Sequence, residues 1–149
     1  MPDPIVIVDY DPAWPREFEA LRDRAAAAVR ELAVAIEHVG STAVPGLAAK
    51  PVIDLVVVVA PDDVQPAVDR LVAVGYVHRG NLGVLSVSPT DGEELRAQLA
   101  FRDRLRNDGA LASEYVALKR ELAVTFRDDR PAYTDAKTDF VVAASDRSG

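Results

Sequence analysis

Cysteine is absent from this chain, and histidine occurs twice in 149 residues. The first absence excludes disulfides, thiolate nucleophiles and cysteine-bound zinc together. His38 and His78 are too few for a histidine-rich zinc site. The opening residues Met1-Pro2-Asp3-Pro4 carry no basic stretch, so no signal peptide is expected. No apolar run reaches about 18 residues, so no membrane span is expected. Positive charge is scarce too. Seventeen Lys and Arg stand against 24 Asp and Glu, for a net charge of -7. Duplex nucleic acid repels such a chain unless its cations cluster. These absences point to an acidic cytoplasmic protein with no membrane or duplex partner. They leave the oligomeric state open.

Apolar residues make up 49% of the chain, enough for a core, and the length predicts one domain over residues 1–149. Ile5 to Val8 is β-branched and predicts a strand. Asp11 is a candidate cap for a helix over about 13–32, with Phe18, Leu21, Ala25, Ala28 and Leu32 on one face. Val34 to Val39 reads as a strand. Val52 to Val59 is a near-continuous Val, Ile and Leu run, expected at the centre of a sheet with both faces covered. A second helix carries Val64, Val68, Leu71 and Val74 and stops at Gly75. Tyr76 to His78 and Val84 to Val87 read as strands. Thr90-Asp91-Gly92-Glu93 matches a capping box, opening a helix to about Asn107. Asp108-Gly109 breaks it. Two more helices follow, one through Leu111, Tyr115, Leu118, Leu122 and Phe126, one from about Ala132 to Ala144. The predicted class is α+β: a mixed sheet flanked by helices, with a helical C-terminal third.

The stretch from His38 to Val56 concentrates the chemistry. Gly40 and Ser41 can bring backbone and hydroxyl close to an anion. Ser41 and Thr42 can cap the segment that follows and offer N–H groups to an anion. Lys50 supplies positive charge, and Asp54 sits inside the apolar run. This is a set suited to phosphate. Alternate strand residues face one side, so two acids spaced by one residue could share metal ions. Position 56, however, is Val56. Glu37 and Asp103 are the candidates to supply a further oxygen. Asp54 therefore has two readings: a metal ligand, or a strand-end acid satisfied by the Gly-Ser turn. His38 is a candidate general base or a structural imidazole. Arg102, Lys119 and Lys137 come from three helices and could converge on an acidic ligand. Tyr115 and Tyr133 read as helix-contact aromatics.

The string from His38 through Gly40-Ser41-Thr42 and Lys50-Pro51 to Asp54 closely resembles the signature of the GrpB family. Phe101-Arg102-Asp103, Tyr115 to Lys119 and Tyr133 to Lys137 resemble its later blocks. The resemblance implies a nucleotidyltransferase-like fold, similar to the DNA polymerase β-like superfamily. A related domain occurs fused to dephospho-coenzyme A kinase. One departure is visible: Ser86 stands where the family pattern carries a histidine. Two functions follow as expectations. In the first, the chain binds a nucleotide or other phosphorylated small molecule through Gly40, Ser41, Thr42, Lys50, Arg102, Lys119 and Lys137, without catalysis of its own. In the alternative it is a magnesium-dependent nucleotidyltransferase. Asp54 and Glu37 would then hold the metal, with Asp54 and His38 in catalytic roles.

Overall fold

The structure is a computed structural model and describes residues 6–75 and 83–146. Its elements run α1 (Trp14–Val29), β1 (Ala33–Val39), β2 (Ile53–Val59), α2 (Val64–Ala73), β3 (Gly83–Pro89), α3 (Glu93–Asn107), α4 (Gly109–Thr125) and α5 (Arg130–Asp146). The three strands form one mixed sheet in the order β1-β2-β3. β1 runs antiparallel to β2, and β2 parallel to β3. The α+β expectation holds, and so does the central place of β2.

The composition of β2 explains that place. Ile53, Leu55, Val57 and Val59 face one way and pack against Trp14, Ala25 and Val29 of α1 and Ala67 and Leu71 of α2. Val56 and Val58 face the other way, against Val39 and Leu95. Both faces are covered, so no polar alternation is needed. Asp54 alternates with Val56 and therefore belongs to the face under α3. The C-terminal helices do not continue that layer as a closed lid. Val44, Leu47, Leu105, Leu111 and Tyr115 form a separate cluster joining the turn after β1 to α3 and α4. Leu122 and Tyr133 anchor α4 to α5. Between these clusters and the Asp54 end of β2 lies the cavity described below.

Three local expectations need correction. Ile5–Val8 is not a sheet strand in its described part: Val8 makes one isolated bridge, with Ala49. Strand propensity alone did not supply a neighbouring strand to pair with. Asp11 does not cap the first helix from the N-cap position; Ala13 holds that place, and Asp11 Oδ1 accepts from the Ala13 N–H at 2.8 Å. Thr90 does not form a capping box, because Gly92 is the N-cap of α3 and no side chain caps it. Asp108 does cap, accepting from the Leu111 N–H at 3.0 Å. The expected strand at Tyr76–His78 lies outside the described residues, as does His78. No helix among the described residues is long and apolar enough to cross a membrane.

Candidate functional site

Gly40 turns the chain at the end of β1 with φ 76° and ψ -176°, a region open essentially to glycine alone. A Cβ built there would fall 2.4 Å from Asp54 Oδ2. The small residue thus serves twice: it permits the turn, and it lets a carboxylate lie against the backbone. β1 and β2 are in register at Val39 and Asp54, which brings the turn and the acid side by side. Arg106 fixes the turn from outside, its Nε and Nη2 donating to the Ala43 carbonyl at 2.9 and 2.7 Å.

A cavity of about 670 Å³ opens here. Gly40, Ser41, Thr42, Lys50, Asp54, Arg102, Lys119 and Lys137 all line it. Phe101 and Gln98 of α3 and Tyr133 of α5 complete its wall. The sequence contains only three lysines against fourteen arginines, and all three lysines face this one space. Lys119 is 2% exposed. Its Nζ donates to the Ala48 carbonyl at 2.7 Å and lies 4.8 Å from the Tyr115 ring centroid. Lys50 and Lys137 place their Nζ atoms 5.3 and 5.6 Å from the Tyr133 ring centroid.

Burial, and after it the crowding of like charge, governs the protons. Burial, then the ammonium groups of Lys137 and Lys50, pull Lys119 down to about 7. Burial also lowers Lys50, helped by Arg130, and lowers Lys137, helped by Lys50. Asp54 opposes both shifts. Its own carboxyl is raised by burial, against the pull of Lys137 and Lys50. Three lysines thus share the cavity with Asp54, and Glu94, Arg102 and Arg130 line it as well.

His38 and Glu37 do not line this cavity. The His38 ring stacks on Phe18, centroids 4.7 Å apart. Its Nε2 lies 2.9 Å from Thr42 Oγ1, and the Thr42 hydroxyl donates to the Val52 carbonyl at 3.1 Å. The Thr42 oxygen therefore accepts from His38, and both groups hold the turn to the start of β2. Burial, then Arg106 and Arg102, bring His38 down to about 4, so the imidazole is neutral near pH 7. Glu37 accepts from Arg102 Nη1 at 2.7 Å. Arg102 also donates to the His38 carbonyl at 3.1 Å and, through Nε, to Asp103 at 2.9 Å. Burial alone would lower its pKa; the bonds to Glu37 and Asp103 outweigh that and raise it. Much of its guanidinium is engaged in fixing β1.

These donors do not fit a magnesium site. Magnesium needs near-octahedral oxygen ligands, commonly one or two carboxylates with phosphates and water. Asp54 is held among ammonium groups, Val56 supplies no oxygen, and Glu37 is paired with Arg102. No group of three or more metal-capable side chains occurs among the described residues.

Tyr133 is the residue whose role the sequence reading missed. It is 1% exposed, and its hydroxyl has no hydrogen-bond partner among the described residues. Two signals were available in the sequence. Tyr133 and Lys137 are four apart, one helical turn. The rarity of lysine made each of the three worth tracing.

The profile of the family described as "GrpB protein" matches residues 4–86 and 83–147. The UPF0157 protein of Halalkalibacterium halodurans is 35% identical over 153 residues, covering 92% of this chain and 78% of that protein. The glutamate-rich protein GrpB of Alkalihalophilus pseudofirmus is 28% identical over 159 residues, covering 92% and 91%. A dephospho-CoA kinase of Mycolicibacterium paratuberculosis is 39% identical over 80 residues, which is 49% of this chain and 19% of that protein. The crystal structure of the conserved protein GrpB from Enterococcus faecalis superposes with a TM-score of 0.74 at 26% identity, covering 93% of this chain and 99% of that one. With the signature block, the later blocks and the fold in agreement over most of its length, the chain belongs to the GrpB family.

Proposed function

We propose that the chain binds a nucleotide or another phosphorylated small molecule in this cavity, and that its ammonium groups, not a metal ion, neutralise the phosphate. One observation carries the reading. A protein of net charge -7 places every lysine it has around one cavity. Crowding three ammonium groups into partly buried space is unfavourable without an anion. The Gly40-Ser41 turn ahead of an acid-bearing strand supports the expected kinship with nucleotidyltransferase folds. A single carboxylate among lysines favours binding over metal-assisted transfer.

Thermal melting with a panel of nucleotides and inorganic pyrophosphate, in EDTA and in magnesium, tests this. A ligand at about a hundred times its dissociation constant adds about 2.7 kcal/mol. For a chain of this size that is roughly 5–10 °C. Stabilisation in EDTA supports the proposal. Stabilisation only with magnesium, abolished in Asp54→Ala, returns the transferase. No shift with any phosphorylated compound overturns both.

A further inference from the structure

The proposed function leaves open which anion the cavity is built for. We infer that Tyr133 and the lysines around it form a subsite for a terminal phosphate, a phosphomonoester dianion, with the Tyr133 phenol as a hydrogen-bond donor to it. This rests on the phosphate-binding reading and adds to it a residue, a charge state and a selectivity.

The first observation is the orphaned hydroxyl. A buried phenol normally finds a partner, and the Tyr133 oxygen has none among the described residues. Tyr133 is part of the cavity wall, so its phenol is a donor left over for something outside the chain. The second observation is the charge around it. Lys50 and Lys137 each hold their Nζ between 5 and 6 Å from the ring centroid. Lys119 lies close enough to both for their charges to act on it. Asp54 is the one carboxylate that acts on Lys50 and Lys137. Among the charged groups lining the cavity, Lys50, Lys137, Arg102 and Arg130 stand against Asp54 and Glu94, and Lys119 joins the positive side once an incoming anion raises it, an excess that a dianion answers better than a monoanion. A phosphomonoester carries about -1.5 to -2 near pH 7, with three terminal oxygens to accept hydrogen bonds. A phosphodiester or a carboxylate carries one charge and two such oxygens.

Calorimetric titration in EDTA at pH 8 decides this, with adenosine 5′-monophosphate, its 3′,5′-cyclic monophosphate, adenosine and inorganic pyrophosphate as probes on the parent and on Tyr133→Phe. The 5′-monophosphate or pyrophosphate is expected to bind, and the cyclic diester at least about tenfold more weakly. Tyr133→Phe is expected to weaken the bound monoester or pyrophosphate by about ten- to a hundredfold, the usual worth of a hydrogen bond to a charged group. The same variant should melt no lower than the parent, since it removes an unpaired polar atom. A variant that binds as the parent does, that melts lower, or a cyclic diester that binds as tightly as the monoester overturns the subsite and leaves the phosphate-binding reading standing. If neither the monoester nor pyrophosphate binds, or if adenosine binds as tightly as the monoester, that reading falls and the subsite with it. Lys137→Met is a second variant; unchanged affinity there also overturns the subsite.

Discussion

Lys119→Met should make the fold less sensitive to pH. The Lys119 ammonium is held down to about 7 by burial and by Lys137 and Lys50, from an ordinary 10.5. Its folded-state pKa is depressed, so above pH 7 the unfolded chain binds the extra proton. Stability therefore rises with pH through this window, at up to about 1.4 kcal/mol per unit. From pH 6 to 9 the rise from this one residue is about 2–3 kcal/mol, or roughly 8 °C in melting temperature. The window closes below pH 10, where Tyr115 and Tyr133, both raised by burial, begin to matter. Lys50 and Lys137, lowered chiefly by burial, contribute slopes of the same sign in parent and variant alike. The methionine variant loses the bond to the Ala48 carbonyl, at a cost of about 1 kcal/mol, and should be less stable than the parent at pH 9. At pH 6 it should match or exceed the parent, because no buried ammonium is left at 119. Urea unfolding followed by circular dichroism at pH 6, 7, 8 and 9 gives both profiles. Parallel profiles for parent and variant would refute the reasoning.

Gly40→Ala should cost about 2–4 kcal/mol, from a backbone region alanine avoids and from the Cβ meeting Asp54 Oδ2. In the Asp54→Ala background the clash part should vanish and the strain part remain, so a double-mutant cycle in urea should show coupling of at least about 0.5 kcal/mol. Arg106→Met removes both bonds to Ala43; a loss of about 1–3 kcal/mol is expected, with faster amide exchange at residues 41–44 by mass spectrometry. Pyrophosphate binding near pH 8 should take up protons, since an anion among the lysines raises Lys119 again. Calorimetry in buffers of different ionisation enthalpy checks this, and zero uptake would count against it.

The parts of the fold legible in the sequence were those fixed by short-range pattern. The run Val52 to Val59 suggested a strand covered on both faces, and α3 to α5 followed from apolar spacing broken at Asp108-Gly109 and between Asp128 and Pro131. Where the outcome depended on a distant partner, pattern failed. Ile7 and Val8 have strand propensity but just one bridge to share. Glu37 looked like a spare metal ligand because its partner Arg102 lies 65 residues away. His38 stood between general base and structural imidazole; the stack on Phe18 and the bond to Thr42 give it the structural place. Tyr133 is an ordinary helix aromatic in sequence; its unpaired hydroxyl exists only in three dimensions. The convergence of Lys50, Lys119 and Lys137 needed two helices and the segment before β2 to be placed correctly, yet their rarity was visible from the start.

That rarity also makes the central claim directly measurable. A protein labelled with carbon-13 at the lysine ε position has three side-chain environments to report, one per lysine. In EDTA, titration with inorganic pyrophosphate should shift the ε signals of Lys50, Lys119 and Lys137 together, saturating with one dissociation constant. Signals that stay still, or that move only once magnesium is added, would contradict an anion held by the lysines themselves.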